Sequence, residues 1–476
     1  MIKKLKKIPL GFKSAIVFLA ATLFSKGLAF LTTPIFTRLM SLEQIGKINL
    51  FSSWYSLIST IVTLSLTSGG FVLALKEFNQ ERNQYISSIL SLTSINAILI
   101  SIFYFIKPSF WNNITGLSSR LMILMLIGFL VAPASDFWFA RQRYEYKYKV
   151  SGVLIIVSSV TASVLSIFVV LNLNRIKATN IAEGRLMANY IVIFGMAFII
   201  WFSTLIKGKT FYNKKYWRFS LKLSLPLVGY SVATQILNTS DRIMIGKIID
   251  NSAVGIYGTL YTVSSLSIMV WSALNSSFEP YLYQNMSKED HKIKEISLGL
   301  LGLYGVIANI LIFCAPEIVK ILTTKEYYES IVIMPPIAAG IFFIAVSNLY
   351  SNILVYLKKT QYIMIASGIA AILNVILNAI FILKFGYIAA AYTTLIAYII
   401  MAFILIISAR YEYNKKEGNL NNIYDNKKII IISFVVVICS FLGMFTYDYT
   451  IFRYLCIIIL IILCIISLKK FNKDLI

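Results

Sequence analysis

Ala15-Ile16-Val17-Phe18-Leu19-Ala20-Ala21-Thr22-Leu23-Phe24-Ser25-Lys26-Gly27-Leu28-Ala29-Phe30-Leu31-Thr32-Thr33-Pro34-Ile35-Phe36-Thr37 is an apolar run with a single charge in it. As a helix it is long enough to cross a hydrocarbon core. Lys26 sits near its middle, on the order of 16 Å from either end at ~1.5 Å of rise per residue. A lysine stem is too short to bring its ammonium to the headgroups from there. A charge at that depth costs at least about 2.5–3.5 kcal/mol on the insertion scale. The cost is offset where the ammonium faces a polar cavity, and such a cavity in a membrane bundle reads as a transport route.

Outward from this run the whole chain is of the same kind. It is 58% hydrophobic and 13% charged, with mean hydropathy +0.78, a balance that leaves a soluble fold too little polar surface. Apolar runs fall at 15–37, 48–69, 86–106, 119–139, 151–171, 181–206, 221–245, 253–275, 297–321, 331–357, 362–383, 387–409, 429–446 and 451–468. The expectation is an all-α membrane protein of about fourteen transmembrane helices. Pro133, Pro226 and Pro335-Pro336 interrupt three runs, which bundles tolerate when neighbours satisfy the freed backbone groups. The basic stretch Met1 to Pro9 precedes a run too long for a signal-peptide core, so it reads as the flank of a retained first span.

A net charge of +24 invites a nucleic-acid partner. Topology explains it instead. Most of the 44 lysines and arginines lie on the N-terminal side of the alternating loops. They include Lys3, Lys4, Lys76, Arg82, Arg141, Arg143, Lys147, Lys207, Lys209, Lys214, Lys215, Lys292, Lys294, Lys358, Lys415 and Lys427. That bias predicts cytoplasmic N- and C-termini beside anionic membrane lipids, with no nucleic acid required. Cys314, Cys439, Cys456 and Cys464 lie in or beside apolar spans without metal-ligand spacing and read as packing residues. His291, between Asp290 and Lys292, reads as a solvated loop residue.

The chain also looks duplicated. Arg38-Leu39-Met40 matches Arg242-Ile243-Met244, and Ile45-Gly46 matches Val254-Gly255. Tyr146 and Ser151-Gly152 match Tyr362 and Ser367-Gly368; Gly184, Ala188 and Tyr190 match Gly386, Ala390 and Tyr392. The expected organisation is a six-helix lobe over 1–210, a second over 211–410 and two additional helices over 411–476. An even number of spans per copy makes the repeats parallel, with the site at their interface. The basic, aromatic segment Lys207 to Lys222, with Phe211, Tyr212, Tyr216, Trp217 and Phe219, suits an interfacial helix linking the lobes.

The stretch Leu31-Thr32-Thr33-Pro34-Ile35-Phe36-Thr37-Arg38-Leu39-Met40-Ser41-Leu42-Glu43-Gln44-Ile45-Gly46 resembles the first-helix signature of bacterial polysaccharide-repeat flippases of the Wzx type. Asp241-Arg242-Ile243-Met244-Ile245-Gly246-Lys247 with Ala253-Val254-Gly255-Ile256-Tyr257 resembles that family's seventh helix. The family belongs to the multidrug/oligosaccharidyl-lipid/polysaccharide exporter superfamily, which includes lipid II flippases. The resemblance implies alternating-access transfer of an undecaprenyl-diphosphate-linked oligosaccharide from the cytoplasmic to the outer leaflet, for capsule, O-antigen lipopolysaccharide or a similar polymer. It implies a location in the bacterial cytoplasmic membrane and partners such as a polysaccharide polymerase and other assembly proteins. It implies no enzymatic activity and no cofactor; a coupling ion, proton or sodium, stays open.

Within that frame Lys26 is the candidate contact for the diphosphate, whose desolvation a groove cation would offset. Arg38 and Arg242 occupy repeat-equivalent places and suit either cargo contact or a gate. Asp241 beside Arg242 suits an ion pair. Asp136 suits a structural partner for Arg141 and Arg143. Ser25, Gln235, Asn238, Tyr230 and Asn275 offer hydrogen bonds to sugars or between helices, and Asn374 and Asn378, spaced i, i+4, suit helix packing. Related lipid II flippases line their cavity with several arginines; here spans 2 and 8 carry no mid-span Arg or Lys. A drug or cation antiporter of the same architecture is the alternative, and it calls for acidic cavity residues. A membrane-embedded glycosyltransferase calls for catalytic carboxylates or histidines on a sizeable outer loop, which the sequence lacks.

Overall fold

The computed structural model describes residues 10–68, 70–286 and 291–475, with the side chains of Leu10, Phe12, His291 and 466–475 left aside. The reading of His291 therefore lies outside the described side chains. The chain forms two compact units, Met1–Gln235 and Ile236–Ile476.

In the first unit, α1 covers Leu10–Leu39, α2 Leu42–Val62, α3 Phe71–Glu77, α4 Arg82–Ile106, α5 Pro108–Thr115, α6 Ser119–Tyr144, α7 Tyr148–Arg175 and α8 Ile181–Gly208. Helix α9, Lys214–Ile248, runs from this unit into the second. There follow α10 Asn251–Ser264, α11 Ser267–Asn285, α12 His291–Phe313, α13 Ala315–Leu322, a 3₁₀ segment Lys325–Ile333 and α14 Met334–Tyr356. Helices α15 Gln361–Phe385, α16 Ile388–Lys416, α17 Asn426–Phe445 and α18 Thr450–Leu475 complete the chain, with a short 3₁₀ turn at Leu420–Asn422.

Among the described residues eleven segments are long and apolar enough to cross a membrane, with α10–α11 taken together as one and the 3₁₀ segment with α14 as another. The three remaining apolar runs lie on α2, α9 and α18, which fall short of that standard. The first two are diluted by polar residues, such as Asn49, Ser52, Ser53 and Ser56 in α2 and Asp241 and Arg242 in α9. Of α18, the described stretch Thr450–Ile465 is apolar but shorter than a full span.

Local chemistry explains the breaks. After α1 the Ser41 hydroxyl accepts from the Gln44 backbone N–H while the Gln44 side chain accepts from the Ser41 N–H, a reciprocal cap. In the second unit Asp250 caps α10 by accepting from the Ala253 N–H at 2.7 Å. Ile45-Gly46 and Val254-Gly255 each follow their cap by four residues, so the repeated motif marks repeated helix starts. The run 297–321 is not one helix. It ends at Phe313 because Pro316, in the first turn of α13, cannot continue the preceding helix. Pro335 and Pro336 likewise fall in the first turn of α14, where a missing N–H costs nothing.

Within the first unit α7 packs on α1 and α8, and α8 also packs on α6 and α4. The second unit repeats the scheme: α16 packs on α15 and α14, and α9 is bonded to α15 through Ser240 and Asn374. The additional helices α17 and α18 pack on α12. Arg453 of α18 is buried, ion-paired to Glu317 of α13.

The segment 207–222 is not an interfacial link. Helix α8 stops at Gly208, and residues from Lys214 onward are the first turns of α9, because nothing helix-breaking separates them from Leu221. Phe211 and Tyr212 are exposed, but Tyr216 is buried. Its hydroxyl donates to Glu81, Trp217 Nε1 donates to the Ser88 carbonyl at 3.0 Å, and Ser220 and Tyr85 share a 2.8 Å hydrogen bond. These aromatics fasten α9 to α4 rather than to lipid.

Candidate functional site

Helix α1 has three faces. Ser14, Phe18 and Ala21 are buried on the face that meets α7. Phe24, Leu31 and Ile35 are exposed on an apolar face. Between them, at i−4, i+3 and i+7 from Lys26, lie Thr22, Ala29 and Thr33, with Leu19, Leu23 and Phe30 at i−7, i−3 and i+4, so Lys26 and two threonines put polar groups on a mixed face. Lys26 is exposed and makes no hydrogen bond or ion pair among the described residues. Its neighbour Ser25 accepts from Ser159 of α7 at 2.6 Å, so Ser25 joins helices.

A second cation leans on α1. The Arg143 guanidinium lies 5.9 Å from the Phe18 ring centroid. Asp136, seven residues before Arg143 on the same face of α6, is exposed. It takes no ion pair within 4 Å among the described residues, although Arg143 and Tyr55 lie within electrostatic reach. Tyr55 belongs to an aromatic group with Phe51, Phe129, Tyr190 and Phe194, its ring 5.4 Å from that of Phe129. Polar groups on α1 and α6 and a tyrosine of α2 thus form the polar side of this unit.

The partner of Arg141 is Glu145, not Asp136. Arg141 Nε donates to Glu145 at 2.8 Å, Lys147 donates at 2.6 Å, and Arg82 lies at 3.5 Å. The physical reason is helical register: 141 and 145 are i, i+4 and share a face, whereas 136 and 141 are i, i+5 and do not. Burial opposes ionisation of Glu145, but the hydrogen bonds from Lys147 and Arg141 outweigh it and hold the carboxyl below its usual range.

Arg38 is exposed, its guanidinium donating to the Pro34 carbonyl one turn back at 3.0 Å. Nearby, Arg185 of α8 stacks on Phe36 with its guanidinium 3.5 Å from the ring centroid. The sequence reading missed this residue, which carries no local motif.

In the second unit Asp241 is buried without an ion pair among the described residues. Its Oδ2 accepts from Tyr257 at 2.6 Å and Thr394 at 2.7 Å, and Oδ1 accepts from Asn378 Nδ2 at 2.7 Å. Asn374 accepts from Ser240 at 2.7 Å and from Asn378 at 3.2 Å, and donates to Thr394 at 3.1 Å. Thr393 donates to Asn378. One carboxylate thereby ties α9, α10, α15 and α16 together.

The i, i+4 asparagines were legible as one face; Tyr257, Thr393 and Thr394 were not singled out. Arg242 turns away from Asp241 and lies over the Tyr261 ring at 4.5 Å. Asn238 accepts from Tyr398 at 3.0 Å and Asn275 from Asn352 at 3.0 Å, both joining helices. Gln235 is half-buried and Tyr230 exposed.

No cluster of three or more His, Cys, Asp or Glu exists among the described residues. Two hydroxyls and the Asn378 amide nitrogen donate to the Asp241 carboxylate, and a carboxylate held by hydrogen-bond donors suits a proton rather than a soft transition metal.

The fold is shared with solved membrane-protein structures. It superposes on the solved structure of the lipid II flippase MurJ in an inward closed conformation with a TM-score of 0.68, at 19% identity, covering 97% of this chain and 99% of that one. An inward-facing multidrug-resistance MATE transporter gives 0.60 at 10% identity, covering 83% and 95%. The chain is thus a multi-pass helical membrane protein with the fold of these two solved structures.

Residues 12–286 match the model of the polysaccharide biosynthesis protein family, to which the chain belongs. Residues 226–380 also match the MatE model. Among curated relatives, the capsular polysaccharide biosynthesis protein CapF of Staphylococcus aureus is 23% identical over 411 residues, 83% of this chain and 97% of that protein. The probable low-salt glycan biosynthesis flippase Agl15 of Haloferax volcanii is 24% identical over 396 residues, 81% and 80%.

Proposed function

We propose that the chain flips an undecaprenyl-diphosphate-linked oligosaccharide repeat unit from the cytoplasmic to the outer leaflet of the bacterial cytoplasmic membrane, with both termini cytoplasmic. The observation that carries this is Lys26: a mid-helix cation, exposed beside Thr22 and Thr33 and without a carboxylate partner among the described residues. An unpaired ammonium at that depth is costly unless an anion visits it. A diphosphate between a lipid tail and a glycan is such an anion. The tail stays in the bilayer while Lys26, with Arg143 toward the basic end, offsets part of the desolvation of the head. Arg38, near the far end of the same helix, then serves the approach to Lys26 rather than the centre of the route. The names of the curated relatives, a capsular polysaccharide protein and a glycan flippase, support the same reading.

The cycle is alternating access without a covalent step. Its coupling, in this proposal, runs through Asp241, an intramembrane carboxylate held by two hydroxyls and an amide donor. Exchange of a proton or a monovalent cation there would reorder the hydrogen bonds that join α9 and α10 to α15 and α16.

The antiporter alternative would rest on Asp136, the exposed carboxylate of α6. Depleting the chain in its host separates the two. The flippase reading expects loss of surface polysaccharide and accumulation of lipid-linked repeat units with the inner leaflet. Normal polysaccharide together with raised retention of cationic drugs would replace it with the antiporter.

A further inference from the structure

Helix α6 presents a second polar face, turned away from Arg143 and Asp136. A cleft of about 420 Å³ lies on it, lined by Asn83 of α4, Trp138 and Arg141 of α6, Ser203, Thr204 and Lys207 of α8, and by Glu145 and Lys147. At ~100° per residue Arg143 points roughly 200° away from Arg141, so the cleft and the Lys26 side of the unit use opposite faces of one helix.

Three features define what the cleft fits. Its cations outnumber its carboxylates: Arg141, Lys147 and Lys207 stand against Glu145. Arg141 and Lys147 are shared with Glu145, but Lys207 makes no hydrogen bond or ion pair among the described residues. Neutral donors from Ser203 and Thr204 flank the charge, as a multidentate anion requires, and Asn83 Oδ1 orients Arg141 by accepting from it at 2.6 Å. Finally, the α8 wall continues into exposed apolar residues, Ile199, Phe202 and Ile206, that suit acyl chains. A basic pocket bordered by an apolar helix face at one end of a bundle matches a lipid with a charged head.

We propose that this cleft holds the headgroup phosphate of an anionic bilayer phospholipid, its acyl chains lying along the Ile199–Phe202–Ile206 face of α8. The bound lipid bridges α4, α6 and α8. The site is separate from the flipping groove and does not depend on the cargo assignment.

Native mass spectrometry of the purified full chain, titrated with phosphatidylglycerol or phosphatidylcholine, tests this. Phosphatidylglycerol is expected to be retained in preference to phosphatidylcholine. Lys207→Gln is expected to weaken its retention about 5-fold, and Lys207→Gln with Lys147→Gln about 25-fold, from roughly 1 kcal/mol per basic side chain. Lys207→Arg should restore binding, and Lys325→Gln, an exposed charge in the other unit, should leave it unchanged. Equal retention of the two lipids, or an unaltered Lys207→Gln variant, would overturn the proposal. Full displacement by glycerol 3-phosphate at equal concentration would also overturn it, reassigning the cleft to a soluble phosphate.

Discussion

Replacing Asp241 with alanine removes the acceptor that three helices share. Tyr257, Thr394 and Asn378 each lose a bond of 2.6–2.7 Å. Thr394 can turn its hydroxyl to its own helix, but Tyr257 and Asn378 lie in a packed interior and keep unpaired donors. Each such donor costs about 1–3 kcal/mol in a dry core, whereas interhelical hydrogen bonds measured inside membranes average only about 0.6 kcal/mol. The combined expectation is a loss of roughly 2–5 kcal/mol. For a unit of this size that corresponds to a fall in Tm of about 4–20 °C.

Thermal unfolding of purified wild type and Asp241→Ala in the same detergent measures the loss. Asp241→Asn should lose less stability, because its carbonyl still accepts from the two hydroxyls while its amide nitrogen meets the Asn378 amide donor. If Asp241→Ala melts within 2 °C of wild type, the carboxylate does not hold these helices together and the network argument fails.

Other expectations follow from close approach and from charge. A Cβ on Gly208 would lie 2.2 Å from Ser87 Cβ and 2.3 Å from the Asn83 carbonyl oxygen, so Gly208→Ala should separate α4 from α8 and cost about 1–3 kcal/mol, read as a lower Tm. The Glu145 carboxyl is held below the usual glutamate range by its bonds from Lys147 and Arg141. Its contribution is therefore fully present above about pH 4.5 and is lost as pH falls through the lowered value. A Glu145→Gln variant should accordingly show a flatter decline of Tm below pH 4.5 than wild type, and parallel declines would contradict the assignment.

Lys26 was legible because a charge in the centre of a long apolar run is conspicuous whatever the tertiary structure. The duplicated helix starts were legible for a related reason, since Ser41 and Asp250 act within one turn of chain. Partnerships across helices were not. Asp241 sits next to Arg242 in sequence, but successive residues on a helix point about 100° apart; one reached the Thr394 network and the other the Tyr261 ring. Thr393 and Thr394 lie in the apolar run Ala389 to Tyr398 and carry no local sign that they close a carboxylate site 150 residues upstream. The Asp136–Arg141 pairing needed only a check of register against Glu145. The long α9 was hidden by its composition, because the basic, aromatic start that suggests a membrane interface instead packs on α4.

The central claim is that Lys26 meets a diphosphate in transit. The direct measurement is translocation of a fluorescent lipid-linked diphosphate oligosaccharide across proteoliposomes, followed by accessibility to a membrane-impermeant quencher. Wild type should accelerate transfer over protein-free vesicles, and Lys26→Arg should retain much of that rate because the charge survives while the geometry changes. Lys26→Gln should slow it about 10-fold or more, the loss of one charge-assisted hydrogen bond of roughly 1.5–3 kcal/mol. A Lys26→Gln protein that transfers the labelled lipid at the wild-type rate would show that the charge plays no part in transport.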